Sequence, residues 1–343
     1  MWRQGVNAGT HQQSPLLAQG DLVGALDLLG YPSDVRSRVV ERAEKWLSEH
    51  WNEGHLPSWY ITGVHRILKE EAGDELPFRE LREGCNRAGR ALAERVAVDV
   101  ATLSPTARFA ALCAWAVAGN HLDFRTAGIG YGFGEDEVGE MLREVIARGF
   151  DVDRTGEIER LARAAERVLY IPDNVGEIAF DALLVREIRS YGATVVVPYR
   201  GGPITSDATL DDFRQVGLDD AADEIFEAGP DTLGISLEEA SPRLLDEIAR
   251  ADLVLTKGQA NFYVAYGNRA DLGTAVACLL TTKCDLISEK FGTSKRLSLA
   301  TVVGPIPGHY DLCGDGTEHG TTRPPETPPE VAPRVAAGES ADA

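Results

Sequence analysis

The sequence predicts an α/β protein: an N-terminal all-helical domain followed by a three-layer, Rossmann-like α/β domain with a mostly parallel sheet. Three observations carry this. Apolar residues recur at helical spacing from Asp21 to about Ala118. From about residue 156 onward, short β-branched runs alternate with helical patterns, the signature of a parallel sheet covered on both faces. A chain of 343 residues is long enough for one large or two ordinary domains with ample core. The expected ranges are a loose leader over 1–20, a helical domain over 21–155, a metal-binding catalytic α/β domain over 156–310 and a disordered tail over 314–343.

The helical half reads in order. Leu22, Leu26, Leu28 and Leu29 mark a first stripe, and Val39, Val40, Ala43 and Leu47 a second. Ile61, Val64, Ile67 and Leu68 mark a third, and Ala91, Leu92, Val96 and Val98 a fourth. Ser104 and Pro105 start another helix, because proline suits the first turn; Ala107 to Val117 is apolar almost all round and is expected to be buried. That helix ends at Ala118-Gly119-Asn120, and helices over 137–149 and 156–167 follow. Val168 to Ile171 then reads as a strand, with a polar turn and an amphipathic run to about Tyr191 behind it. Further strands are expected at Thr194–Pro198, Thr232–Ser236, Leu253–Leu255 and Val276–Thr281, with helices at Leu210–Val216 and Ser241–Ala249. After Cys313 the chain turns rich in Pro, Gly, Thr, Glu and Ala, the composition of a disordered tail.

Composition limits the function. Lys and Arg number 34 against 54 Asp and Glu, a formal charge of −20, which argues against a general nucleic-acid or anionic-membrane surface. An anionic substrate therefore needs a local exception built from a divalent cation, helix N-termini or a few placed Lys and Arg. Five scattered cysteines without a CxxC pair suit reduced thiols in a cytoplasmic protein. No signal peptide or apolar run of membrane-spanning length is found, and no feature specifies an oligomeric state.

Five polar clusters fall at element ends. They are Asn120 and Asp123 in AGNHLDF; Asp173, Asn174 and Glu177 in YIPDNVGEIAFD; Asp207 in PITSDATLDDF; Lys257, Gln259 and Asn261 in KGQAN; and Lys283 in TTKC. In open α/β sheets, ligands bind beyond the carboxyl ends of the strands, where these clusters are expected. The acidic and amide members suit a hard divalent ion such as magnesium or manganese with water left for substrate, and the lysines suit an anion. Together they suit a phosphate group. Plainer roles exist for each: Asp173, Asn174 or Asp207 as helix caps, Asp211 and Asp212 in a first helical turn, Lys257 as a surface lysine. KGQAN lacks the spacing of a Walker loop. His121 is a weaker candidate base than Asp123, and GIGYGFG at 128–134 reads as a flexible loop or lid near the site.

In this order the clusters resemble the metal-dependent damage-control phosphatase family, long known as a domain of unknown function. The resemblance covers most of residues 57–305 and includes WYITGVHRILKE, PFRELREGCNRAG, ADLVLTKGQANF and CLLTTKCDLIS beside the motifs above. It implies a helical domain before an α/β domain and a metal held by Asp173, Asn174 and Asp207, with manganese first and cobalt, nickel or magnesium as alternatives. It implies Asn120 and Asp123 as the family's GNxxD pair, and Lys257 and Asn261 as phosphate contacts. The expected activity is hydrolysis of a small phosphate monoester: a sugar phosphate, a nucleoside-derived ester or a damaged phosphometabolite.

In that scheme Asp123 is base or nucleophile and Asn120 orients the phosphate. Lys257 and the Gly258 backbone bind phosphoryl oxygens, with Glu177 and Asn261 nearby. The organic part is expected near His65, Arg66 and Asn86. The chain departs from the family at Cys85 (usually Ser), Arg82 (near a usual Lys), Arg125 (often Gly) and in lacking an N-terminal CxxC, differences that bear on substrate choice. Two rivals belong to other classes. One is a carboxyl methyltransferase using S-adenosylmethionine, for which DNVGE lacks the Gly-rich first turn. The other is a non-catalytic metal or sugar-phosphate binding protein.

Overall fold

A computed structural model describes residues 14–303, apart from 52–54, 125–134, 268–272, 284–287, 289–290 and 292–294. The GIGYGFG loop at 128–134 and the expected tail at 314–343 lie outside the described residues.

Helices α1 (Ser14–Leu29), α2 (Ser33–His50) and α3 (Pro57–Ala72) form an N-terminal layer. The first begins inside the range expected to be a loose leader: Ser14, Pro15 and Ala18 are buried, and the apolar stripe runs back from Leu22 through Ala18. Proline in the first turn of α3 and a left-handed Gly73 after its last turn fix both ends. This layer shares a core with Phe78, Leu81, Phe124 and Val175.

Helices α4 (Arg79–Ala101), α5 (Pro105–Ala118), α6 (Glu135–Ala147) and α7 (Thr155–Ala164) are not a separate unit. Leu92, Phe109, Leu112, Val117, Leu142 and Ile158 join one continuous core with the sheet residues Val168, Tyr170, Val195, Leu255 and Leu279. The boundary expected near 155 thus falls inside a single packed core. The apolar α5 buries Phe109, Leu112, Cys113, Ala116 and Val117 against the sheet and its helices, whereas Ala107 is exposed and Ala110, Ala111, Ala114 and Trp115 are only partly buried.

The sheet has seven strands in the order β1-β7-β6-β5-β2-β3-β4. They are β1 (Val152–Asp153), β2 (Arg167–Ile171), β3 (Thr194–Tyr199), β4 (Glu224–Glu227), β5 (Leu253–Lys257), β6 (Ala275–Thr281) and β7 (Ser298–Val303). All pairs are parallel except β6 with β7. Helices α8 (Ile178–Arg189), α9 (Leu210–Val216), α10 (Leu218–Ala221), α11 (Pro242–Arg250) and α12 (Gly258–Gly267) complete the α/β layers. Among the described residues no helix is long and apolar enough to cross a membrane.

Two expectations need correction. Residues 232–236 form no strand, because their backbone donors go to side chains instead of a ladder: Leu233 N–H to Thr62 Oγ1, Gly234 N–H to Asp207 Oδ1 and Ile235 N–H to Asn261 Oδ1. The edge strand is EIFE at Glu224–Glu227, whose flanking glutamates hide it from an apolar pattern. KGQAN, which reads from its glycine as a turn beside the strand, is likewise not a simple turn. Lys257 ends β5 and Gly258 starts α12 directly.

Candidate active site

Strand β2 is followed in sequence by β3 and β4 on one side, while β5 and β6 lie on its other side, so the chain order reverses between β2 and β5. A crevice at the carboxyl ends of the strands opens at such a switch point. Asp173 and Asn174 follow β2, the turn holding Thr205, Ser206 and Asp207 follows β3, Gly258 and Gln259 follow β5, and Lys283 follows β6.

The first two turns are joined through their backbones. Val175 N–H donates to Ser206 O at 2.8 Å and Ala208 N–H donates to Asp173 O at 3.0 Å, around a bridge between Asn174 and Asp207. Thr205 has a φ of 41°, rare for a β-branched residue. Arg82, buried on α4, holds it by donating from Nη1 to Thr205 O at 2.8 Å and from Nη2 to Asp207 O at 2.7 Å, while also pairing with Asp212. Backbone strain held by a buried side chain beside a cavity is a frequent mark of a functional turn.

A cavity of about 490 Å³ opens over these ends. Its polar end is lined by Asp123, Asp173, Asn174, Ser206, Gln259 and Lys283. Lys283 Nζ donates to Asp123 Oδ2 at 3.1 Å. Arg296 lies on the same wall. Burial, then Arg296, Lys283 and Arg148, together push the His121 pKa down, so several basic side chains gather at this corner of an acidic chain. Burial alone would lower the Lys283 pKa, but Asp123, Asp173 and Glu177 overturn that effect and raise it, keeping the ammonium charged.

The Asp173 carboxyl is raised well above its ordinary range by burial and then by the neighbouring Glu177 and Asp207. Asn174 Nδ2 donates to Asp173 Oδ2 at 2.9 Å, and Ser206 Oγ donates to Asn174 Oδ1 at 2.9 Å. Asp173 also lies against the start of α12, where Gly258 has a φ of 77° and an added Cβ would stand 1.8 Å from Asp173 Oδ2. Only glycine gives the carboxylate this approach. Crowded, desolvated carboxylates with an amide oxygen alongside suit a hard cation that keeps several waters. Among the described residues no three His, Cys, Asp or Glu side chains converge as a cluster. Asp207 is fully buried, with Oδ1 accepting from Arg200 Nε at 3.2 Å and from Gly234 N–H at 2.7 Å; it stands behind Asp173 and Asn174 and is absent from the cavity lining.

Several predicted substrate contacts lie in the supporting structure. The Lys257 side chain is 1% exposed, and its Nζ donates to Glu177 Oε2 at 3.2 Å and Asp181 Oδ1 at 2.8 Å, where two carboxylates hold it below the cavity floor. Burial alone would lower its pKa, but these carboxylates raise it. Asp181 also accepts from Tyr170 OH at 2.7 Å, while its Oδ2 has no partner among the described residues. Burial lifts its carboxyl to about 6 against the opposing pull of Lys257.

Glu177 accepts from Asn174 N–H at 2.8 Å and from the Asn120 amide at 3.4 Å, so both Glu177 and Asn120 brace the Asp173 turn from beneath. Asn261 donates to Pro172 O and Lys257 O and accepts from Ile235 N–H. Asn86 accepts from Gly176 N–H and donates to Asp212 and Gln215, and Arg66 pairs with Asp231 and Glu239. Each fastens one element to another. The helix after Asp207 is capped by Thr209 with Asp212, which leaves Asp207 free of the capping role. Ser206 and Arg296 on the cavity wall, and Arg200 behind it, carry no pattern that separates them in sequence from ordinary polar residues.

Comparison with known proteins gives the family and the fold. The damage-control phosphatase ARMT1-like domain matches residues 20–298. A damage-control phosphatase of Archaeoglobus fulgidus is 28% identical over 270 residues, covering 79% of this chain and 91% of the relative. The damage-control phosphatase PH1575 of Pyrococcus horikoshii is 29% identical over 230 residues, covering 67% and 76%. The crystal structure of a DUF89 family protein from Pyrococcus horikoshii superposes with a TM-score of 0.73 at 24% identity, covering 86% of this chain and 98% of that one, which establishes a shared fold. With the match spanning most of its length, this chain belongs to the damage-control phosphatase ARMT1-like family.

Proposed function

We propose that this protein is a divalent-metal-dependent phosphatase of a small phosphate monoester. The observation that carries the reading is the meeting of Asp173, Asn174, Asp123 and Lys283 at one end of a cavity on the switch point of the sheet. Asp173 and Asn174 would hold the cation, manganese first and cobalt, nickel or magnesium as alternatives, and when bound it supplies polarisation of a phosphoryl oxygen. Asp207 supports this set through the bridge with Asn174 and its pairing with Arg200.

Lys283 takes the anion-binding role that sequence gave to Lys257. Its ammonium lines the cavity and balances charge that grows on the phosphoryl oxygens. Asp123, next to it, acts as general base for water or as nucleophile. Asn120, Glu177 and Lys257 position these groups. The free cysteines Cys85, Cys113 and Cys278 fit a cytoplasmic enzyme.

The test is phosphate release by metal-stripped protein on a panel of sugar and nucleoside monophosphates, with each cation restored singly and S-adenosylmethionine consumption followed in parallel. Release that requires a cation is the expected result. Consumption of S-adenosylmethionine without release, or binding without turnover, overturns the reading.

A further inference from the structure

We propose that the cavity selects phosphate monoesters whose organic part presents an extended apolar face, in preference to bare polyol phosphates; the inference rests on the phosphatase reading for its reactive end. Besides Asp173 and Lys283 the cavity is lined by Leu16, Leu17, Pro57, Ile61, Leu233 and Tyr263. Its volume of about 490 Å³ lies in the range of pockets that enclose drug-sized ligands.

The wall is fixed in place. Helix α1 buries Ala18, Leu22, Ala25 and Leu26 in a core shared with Val64 and Leu68 of α3, and Asp21 Oδ2 lies 2.7 Å from His65 Nε2. This packing leaves Leu16 55% and Leu17 40% exposed at the cavity lining. Large apolar side chains open to water beside a charged site are covered at a gain when a ligand brings apolar surface against them. A polyol gains nothing there. Its hydroxyls would lose water against Leu16, Leu17 and Ile61, and of the polar groups beside them Asp21 is already engaged with His65 while Ser58 offers one hydroxyl. Gly20, one turn along α1, lines the same space, and a side chain there would meet nothing within 4 Å, so the ligand channel stays wide. Leu16 and Leu17 lie just before residues 20–298, the stretch matched by the family.

A series of n-alkyl phosphates from methyl to hexyl tests the wall, because their leaving alcohols differ little in acidity and only the apolar length changes. With manganese present, kcat/KM is expected to rise by up to about fourfold per added methylene, and the Leu16→Asn, Leu17→Asn double variant is expected to flatten that slope. Calorimetric titration of the wild-type protein with the matching alkylphosphonates, which cannot be hydrolysed, reads the same slope without turnover.

Release that is flat or falling along the series, with hexose phosphates preferred, overturns this inference and leaves the phosphatase reading standing. No release from any ester, with phosphonate affinity still rising by chain length, overturns hydrolysis and supports the apolar wall. Neither release nor phosphonate binding overturns both. The wild-type slopes decide even if the double variant fails to fold.

Discussion

Lys257 and Lys283 follow from neighbouring parallel strands, yet they live in different physical worlds. Lys257 is sealed beneath the cavity floor between Asp181 and Glu177 with 1% of its side chain exposed. Lys283 reaches Asp123 from the cavity wall with 32% exposed. A buried ammonium held by two carboxylates is part of the scaffold, because its removal leaves uncompensated charge in a low-dielectric interior. A lysine whose side chain is partly exposed at a cavity can exchange its partner for a phosphoryl oxygen. Two residues of one type at corresponding strand ends thus differ in burial, and under the proposed function that difference separates support from chemistry.

The comparison can be broken by substitution. The largest effect is expected from Asp173→Ala, with phosphate release falling at least about 10³-fold and the circular dichroism spectrum nearly unchanged. Surviving activity would remove Asp173 from the site. Lys257→Met is expected to lower unfolding free energy by about 3–5 kcal/mol in urea titration, since Asp181 and Glu177 lose their counter-charge. A stability change below about 1 kcal/mol would place this lysine with the cavity groups instead.

Lys283→Met is expected to reverse that pattern, with kcat/KM down about 100-fold, equivalent to about 2.7 kcal/mol, and stability within about 1 kcal/mol of the parent. The smallest effect concerns a pair far from both lysines. Arg167 holds the Glu247 carboxyl below its ordinary range, so the pair stabilises above the unfolded carboxylate pKa and loses that contribution as pH falls through the lower folded value. Glu247→Gln should therefore cost about 1 kcal/mol at pH 7 and flatten the acid limb of stability between roughly pH 5 and 3. An unchanged acid limb would assign that limb to other carboxylates.

What sequence could and could not reveal follows from the range of the interactions. Asp173 and Asn174 stand out because strand, polar turn and helix occur within one short segment. The long apolar α5 is equally plain from its composition. The burial that separates Lys257 from Lys283 is not recoverable this way, because it depends on Asp181 of α8, which looks like an ordinary helix polar residue, and on Glu177 just before that helix, which the motif marks as a substrate contact. Thr232–Ser236 has the alternation of a strand, and only the side chains of Thr62, Asp207 and Asn261, which take its N–H groups, make it a loop. Strand β7 is not among the strands expected from the sequence, and its antiparallel place beside β6 depends on the whole sheet. The wall of Leu16 and Leu17 begins where the sequence offers only a weak pattern, and it acquires meaning from the cavity it borders.

The sheet order also has a consequence for how the chain is made. Strand β1 pairs with β7, Val152 opposite Leu299, and α5 buries Phe109 and Leu112 in a core shared with strands that are synthesised later. During translation at about 5–20 residues per second, an interval on the order of 10 s separates the two edge partners, and the apolar face of α5 is outside the ribosome before its cover exists. The nascent helical half is therefore the stretch on which chaperone binding should concentrate, and release should coincide with emergence of the last strand.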